Sequence, residues 1–583
     1  MANFTRRNAW NNGGTFENPD LLWYAKGVGV MQLRSLADPN SWWFFAAIHG
    51  QYITSPGILG FPAWGFIPAP PQVPTTPLPA QHLQDLYWDQ CQHQSWYFPP
   101  WHRGYLLALE AQIRAAVVSL GGPADWALPY WNYFGPDAQS GIPPAFTEQT
   151  LPDGTLNPLF VSARHGPNGD GVIFVSTEAN EGCQENTVYT GVNAVTPSPG
   201  YGGPETEFWH GGGNRSGGNL EQNPHNQVHG DIGGIEVQRL FRVGLAFVGE
   251  LDAALLPGGL RDTFQANGHS LSSEARVQIL QEGALWQIID VGQDFFVFNN
   301  TTLMMLEIID LNRGLMGDPG TAALDPIFYL HHSNIDRMWA VWNAKGNSNP
   351  GDQNWLAGPT AVGERKFTMP MPGGSPWEFT PAHVNSLSQL DYIYDDMPMT
   401  VVPPPPILAQ RLMKLGVAPA AARAAQGGNM GSRGDVELLG ANDGALPIRS
   451  SGARATVRLD EEVRGRVFAS LAAASEANLP DRVYLRLENV RGTIDAYKLK
   501  VSVNQQSVGT VALFGLNRAS LADGQHSGAG LTFEFDVTEI IDKLFLVNAI
   551  DVNSLDVRIE PNHAFADVAQ ITIGRVSVYR QGL

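Results

Sequence analysis

Seven histidines gather in three places along the chain: His49, then His93 and His102, then His225 and His229 together with the adjacent pair His331 and His332. A neutral imidazole carries a lone pair and is the commonest metal-ligating side chain. The set is enough for two sites of three histidines each. His93 and His102 are nine residues apart, about two and a half helical turns, which would put them on opposite faces of one helix. One helix therefore cannot aim both at one ion. Pro99 and Pro100 stand between them, and prolines are tolerated at a helix start but not inside it. The spacing predicts a helix beginning near Trp101, with His102 in its first turn and His93 on the loop before it. His225 and His229 are four apart and share a helix face. His331 and His332 differ by about 100° around a helix axis, so only one of them faces the same ion.

Imidazole suits Zn, Cu, Fe and Ni, and no Cys or carboxylate set accompanies the histidines in the manner of structural zinc or non-haem iron sites. Copper is the leading candidate. Three neutral imidazoles per ion suit Cu(I), and two close ions deliver two electrons to dioxygen, which side chains alone cannot do.

The strings FFAAIHG (44–50), C-x-H at 91–93, FPPWHR (98–103), E-x-x-x-HNxxH (221–229) and DPIFYLHHSNIDRMW (325–339) resemble those of the coupled binuclear copper proteins: tyrosinases, catechol oxidases and molluscan haemocyanins. The resemblance covers roughly residues 5–235 and 310–396. It implies that His49, His93 and His102 hold one copper and that His225, His229 and His332 hold the other. His332 is preferred to His331 because the family ligand stands just before the S-N-I-D-R stretch. Cys91 is similar to the family cysteine that forms a thioether with the neighbouring ligand, here His93. Glu221 and Asn226 match positions where similar enzymes hold a water that takes the phenol proton, and a helix-start cap is the plain alternative for Glu221. Asp336 and Arg337, one turn beyond His332, are expected to steady that helix or its imidazole; an internal ion pair is the other reading. Where plant relatives place a bulky gate, this chain has Pro319 and Gly320, so a wide entrance is expected. The remaining histidines, His82, His165, His210, His269, His383, His526 and His563, have no ligand spacing.

The elements that must position these residues follow from composition and pattern. At 583 residues the chain should hold several domains. Hydrophobic residues make up 43% without any run approaching the roughly 20 of a membrane span. No membrane partner is expected. The N-terminal stretch MANFTRRNAWNNGG has no apolar run after its arginines and reads as neither a secretory nor a complete twin-arginine signal; a cytoplasmic location is expected, with export alongside a partner the alternative. Two cysteines, Cys91 and Cys183, argue against a disulfide scaffold. A formal charge of -20 disfavours nucleic acid as a partner.

The fold class expected is a mainly α catalytic core, a four-helix bundle around the dicopper site, at 1–400, followed by a linker at 401–452 and an all-β sandwich at 453–583 that resembles the C-terminal domain of plant polyphenol oxidases. Period-two stretches such as RVYLRLENV and LTFEFDV support the sandwich. In relatives such a domain covers the copper entrance with a placeholder side chain. Phe514 is a candidate, read here as an ordinary core aromatic. The resemblance further implies that the Tyr-x-Tyr at 392–394 closes the catalytic domain beside an N-terminal arginine, Arg6 or Arg7. An insert at about 236–308 has apolar residues at mixed three and four spacing and is expected to be helical, serving as a lid, an oligomer contact or a peripheral addition. The function implied is a copper-dependent polyphenol oxidase that hydroxylates monophenols and oxidises o-diphenols to o-quinones, with dioxygen as co-substrate. A catechol or o-aminophenol oxidase is the alternative among enzymes, and a haemocyanin-like oxygen carrier the alternative outside them.

Overall fold

The computed structural model describes residues 4–53, 64–67, 69–191, 198–206, 216–243, 249–252, 276–282, 285–290, 295–302, 305–359, 366–397, 407–425, 435–449, 451–475, 477–493, 495, 497–522, 528–547, 553–562 and 571–582, with the backbone alone over 236–313. His210, His269, His526 and His563 lie outside the described residues.

Helices dominate the N-terminal part and a β-sheet the C-terminal part. Helix α1 (Pro19–Gln32) opens on Pro19, with the Asn18 side chain accepting from the Asp20 N–H. Helix α2 (Trp42–His49) is capped by Ser41, and all its residues are buried. After the short α3 (Gln81–Tyr87), the long α4 (Phe98–Ser119) crosses α1 closely. A Cβ on Gly27 would come within 2.7 Å of Ile113, so the glycine is what lets the two backbones approach. Helix α5 (Asn226–Gly233) follows a π turn, Glu221–His225. Helix α6 (Ile327–Ala344) starts where Asp325 accepts from the Ile327 N–H while pairing with Arg164. Helix α4 begins three residues before the expected start, because Pro99 and Pro100 fall among the first N–H positions, which have no intrahelical acceptor.

One buried carboxylate ties these helices together. Asp336 on α6 accepts from Arg103 on α4 at 2.5 Å, from Arg6 at 3.3 Å, and from the hydroxyls of Tyr392 and Tyr394 at 2.5 Å each. Arg6 also donates to Glu110 at 2.8 Å, and its strand, Phe4–Arg6, pairs in parallel with Tyr392–Tyr394. Arg6 is thus the arginine beside the Tyr-x-Tyr. Arg337 instead holds the chain beyond that motif, through the carbonyl and carboxylate of Asp396.

Three expectations change. The inserted segment is not helical: its described parts are strands Ile235–Val243, Gly249–Asp252, Arg276–Glu282, Leu285–Asp290, Phe295–Thr302 and Met305–Arg313, joined in one antiparallel sheet. Over short windows, stretches such as RVQILQE and LWQIID satisfy period two as well as helical spacing, and FFVF is rich in strand-forming types. The C-terminal domain is not two packed sheets. Its strands form one nine-stranded sheet curled around a single apolar core that includes Leu485, Val501, Val557 and Val578. The two end strands approach where a Cβ on Gly509 would lie 3.2 Å from the Phe535 ring. The linker is also shorter than 401–452. Helix Ile407–Lys414 docks on the sheet domain through Arg411 and Asp542, Ala422 of helix Pro419–Ala424 shares an apolar cluster with Leu412, Ala474 and Leu479, and the first strand, Val436–Ala441, already pairs with Thr572–Gln581. Among the described residues no helix is long and apolar enough to cross a membrane.

Removing the Asp336 carboxylate leaves the buried Arg103 without a carboxylate and Arg6 with Glu110 alone. Asp336→Ala should lower the unfolding free energy of the helical part by about 3–5 kcal/mol, read by urea denaturation of the whole chain. A loss under about 1 kcal/mol, the worth of an exposed pair, would show that this cluster does not hold the helices together.

Candidate metal centre

Four helices, a π turn and one loop deliver the histidines. His49 ends α2, His93 lies on the loop before α4, and His102 is in the second turn of α4. His225 closes the π turn, His229 follows in α5, and His332 sits in the second turn of α6. All six are buried. The structure brings them together as two groups: ring centroids of His49, His93 and His102 lie 5.4–5.8 Å apart, and those of His225, His229 and His332 lie 4.5–5.6 Å apart. The groups adjoin, with His102 stacked on His332 at 4.5 Å.

Hydrogen bonds decide which nitrogen of each ring is available. Nδ1 of His49 donates to the Pro319 carbonyl, that of His102 to Phe98, and that of His229 to Met316, at 2.8–2.9 Å. His225 Nδ1 meets the Asn226 side-chain oxygen at 2.8 Å. In a neutral ring each such donation leaves Nε2 with its lone pair. His225 and His229 then point these lone pairs at His332 Nε2 from 3.3 and 3.4 Å. His332 Nδ1 has no hydrogen-bond partner to fix its tautomer, and one His332 Nε2 proton could serve only one of the two acceptors, so in this dry core at least one pair of lone pairs faces another unless a cation sits between them. A metal–imidazole bond of about 2.0 Å puts tetrahedral ligand nitrogens about 3.3 Å apart. Nε2 of His49 and His102 is likewise buried without a protein hydrogen-bond partner. Ligand atoms come within 4.8 Å of one another in the sets His225, His229, His331 and His332, then His49, Cys91 and His93, then His49, His102 and His332, so the donors fit metal, most directly in the second group, and imidazole coordination suits copper.

Around the histidines, Phe328 packs on His49 at 4.8 Å and on His332 at 4.2 Å, and Phe98 packs on His225 at 4.7 Å. Sequence spacing gave no sign of these walls. Cys91 Sγ lies 3.4 Å from His93 Nδ1, and both cysteines are free thiols. Glu221 is buried and accepts the Gln94 N–H on both oxygens at 2.9 Å. It thus ties the π turn to the loop of His93. Asp336 and Arg337 make their polar contacts with other partners. His331 is buried one residue from His332, its ring 5.3 Å from His225.

Phe514, read from the sequence as a core aromatic, belongs to this site. Its ring, carried by the C-terminal domain, stacks on His229 at 4.1 Å with a 26° interplanar angle. It fills most of the space in front of the second group and leaves a cavity of about 30 Å³ beside Glu221, Asn226, Gln94 and Pro319, room for one or two waters. Pro319 lines that cavity, but Gly320 lies under Tyr52, whose ring would be 2.3 Å from a Cβ there. The wide entrance expected from these two residues is thus filled by the other domain. A buried ion pair, Lys498 with Asp231, and a hydrogen bond from Gln227 to the Thr510 carbonyl at 2.5 Å hold the domains together beside α5.

Two adjoining groups of three buried imidazoles on a helical scaffold, with a curled sheet seated over them, define a binuclear metal protein. The chain belongs to the tyrosinase family: the family model for the common central domain of tyrosinase matches residues 39–345. Residues 435–581 match a domain of unknown function. Tyrosinase HcTyr1 of Hahella sp. (strain CCB-MM4) is 28% identical over 599 aligned residues, covering 99% of each chain. A chloroplastic polyphenol oxidase of Spinacia oleracea is 24% identical over 330 residues, 55% of this chain and 36% of the relative. The structure of a latent aurone synthase (polyphenol oxidase) superposes with a TM-score of 0.51 at 16% identity, covering 99% of this chain and 89% of that one, a likeness of fold. The protein is a copper-dependent oxidoreductase that acts on phenols with dioxygen, and its cofactor is a pair of copper ions.

Burial sets the protonation states, and the signs differ. His49 and His225 are pushed down to about 3 by loss of hydration, and His102, His229 and His332 are lowered for the same reason. Glu221 is pushed up to about 8 by burial, against the opposing pull of the Gln94 N–H. Between pH 6.5 and 3 the unfolded chain binds more protons at these histidines, so they erode stability as pH falls, by about 1.4 kcal/mol per pH unit for each. Glu221 acts oppositely: the protonated folded form is favoured, and its contribution is lost as pH rises from about 4.5 to 8. Urea unfolding of the metal-free chain should therefore show greatest stability near pH 6.5, falling toward pH 5 and more gently toward pH 8. A flat profile from pH 5 to 6.5 would mean that the imidazoles are hydrated.

Proposed function

We propose that the two coppers are held by His49, His93 and His102 and by His225, His229 and His332, at the centre of a bundle of α2, α4, α5 and α6, and that the enzyme both hydroxylates monophenols and oxidises o-diphenols to o-quinones. The convergence of His225, His229 and His332 Nε2 within 3.3–3.4 Å carries the ligand assignment. When bound, the copper pair supplies two-electron chemistry toward dioxygen. The rest falls to the chain. A phenol ring takes the place of Phe514 against His229, with Phe328 and Phe98 excluding water from the far side of the imidazoles. Glu221 and Asn226 border the small cavity, where a water between carboxylate and amide takes the phenol proton. Nearby cations favour the ionised carboxylate despite its burial.

One observation supports the narrower reading, a catechol oxidase. Both Glu221 oxygens already accept the Gln94 N–H, which is a positioning duty. Glu221→Gln separates the two, because the amide oxygen still accepts that N–H while the base is lost. Monophenol hydroxylation should drop by about 10²-fold, and oxidation of 4-methylcatechol by much less, in oxygen-uptake assays of the copper-loaded chain. Equal losses would leave Glu221 a positioning residue only.

The C-terminal domain is proposed to act as a cover, because Phe514 occupies the substrate position. Phe514→Ala should raise 4-methylcatechol turnover by the intact chain about tenfold or more, the order expected when a buried aromatic contact is removed. An unchanged rate would make the domain a stabilising appendage.

A further inference from the structure

Phe514 does not enter the helical domain alone. Four residues later, on the short helix Leu516–Ser520, Arg518 reaches the same cavity and is 8% exposed. Its guanidinium donates to the Gln51 carbonyl at 2.9 Å and to the Tyr52 hydroxyl at 3.3 Å, and lies 3.6 Å from the Asp89 carboxylate. Its Cζ is 4.8 Å from the centroid of the Tyr52 ring. The Tyr52 hydroxyl donates to Asp318 at 2.8 Å, so its lone pairs are turned to the cation. Gly50 keeps the floor open: a Cβ there would stand 2.9 Å from the Pro319 oxygen and 3.3 Å from both terminal guanidinium nitrogens.

These contacts of Arg518 all belong to the helical domain, and so does the imidazole under Phe514. An aromatic ring on His229 and a cation among a carbonyl, a phenol face and a carboxylate thus enter together from one segment of the covering domain. We propose that the helical domain carries a cation subsite formed by Gln51, Tyr52 and Asp89, and that the substrates it selects are phenols bearing a positively charged tail, for which Phe514 and Arg518 stand in while the cover is seated. This rests on the phenol-oxidase reading for the ring position and adds the substrate class. An aromatic face beside a carboxylate is a general recognition mode for ammonium and guanidinium groups, and a net charge of -20 favours the approach of cations.

The test uses the full chain carrying Phe514→Ala and Arg518→Ala, which empties both positions. With copper loaded, kcat/KM for dopamine relative to 4-ethylcatechol is measured with Asp89 intact, with Asp89→Asn and with Asp89→Glu. The ratio should fall about tenfold in Asp89→Asn, the size of one charge-assisted contact, and be retained within about twofold in Asp89→Glu, where the charge remains. Taking the ratio within each variant removes any shared loss of folded protein. An unchanged ratio in Asp89→Asn overturns the subsite and leaves Arg518 a fastener of the cover. Without copper, calorimetric binding of 2-phenylethylamine and of neutral 2-phenylethanol is compared in the same chain. The amine should bind about tenfold more tightly at low ionic strength, an advantage that salt erodes. Equal affinity, or no binding of the amine, overturns the proposal. Absence of 4-ethylcatechol turnover counts against the phenol-oxidase reading alone, since the binding comparison still decides the subsite.

Discussion

Everything in the helical domain serves to keep lone pairs facing each other in a place without water. An isolated imidazole in water shares its nitrogens with solvent. Here the Nδ1 atoms of His102, His229 and His49 are committed to the carbonyls of Phe98, Met316 and Pro319 and that of His225 to the Asn226 side chain, while the Nε2 atoms of His225 and His229 lie 3.3 and 3.4 Å from that of His332. That arrangement is unfavourable by itself and becomes favourable only around a cation. The carbonyls therefore matter as much as the histidines, because they fix tautomer and ring direction before any metal arrives. Met316 and Pro319 lie on the segment that follows the inserted strands, so the insert can vary while its return point stays fixed.

Such repulsion must be held against by rigid surroundings. The Asp336 cluster does this by binding α4 to α6 directly behind His102 and His332, since Arg103 follows the first and Asp336 lies one turn beyond the second. Glu221 does the equivalent across the groups, joining the turn of His225 to the loop of His93. Neither carboxylate needs to touch an imidazole. Each fixes a backbone from which an imidazole projects, and rotation of either helix by a few degrees would separate the nitrogens.

What the sequence disclosed follows from the range of each interaction. The histidine spacing and the proline pair before His102 are local patterns and were legible, whereas the Tyr-x-Tyr closure was implied only by resemblance, with Arg6 and Arg7 both open until the strand pairing placed Arg6 beside it. The inserted strands were misread as helices because their apolar residues fit two periods over windows of six to nine residues. The single curled sheet was misread as two because alternation reveals that a strand has an inside, not which strand lies beside it. Phe514 looked like a core aromatic for a sound reason: it is one. The core it belongs to is assembled from two domains, and no pattern within either segment marks that.

The same logic explains why Arg518 escaped notice. A lone arginine after a β stretch has no sequence signature, and its significance appears only when Gly50, Tyr52 and Asp89 come to it from more than four hundred residues earlier in the chain. Burying a guanidinium is costly unless acceptors are built around it, and a fastener for a covering domain needs no such pocket, since surface pairs at the domain margin would suffice. A pocket shaped for a cation next to a site shaped for a ring is more readily understood as a feature of the catalytic domain that the cover borrows. On that view the cover is held by dedicated contacts such as Lys498 with Asp231 and also by imitation of what it excludes, and that second part of the seal rises and falls with the affinity of the site for its own substrate.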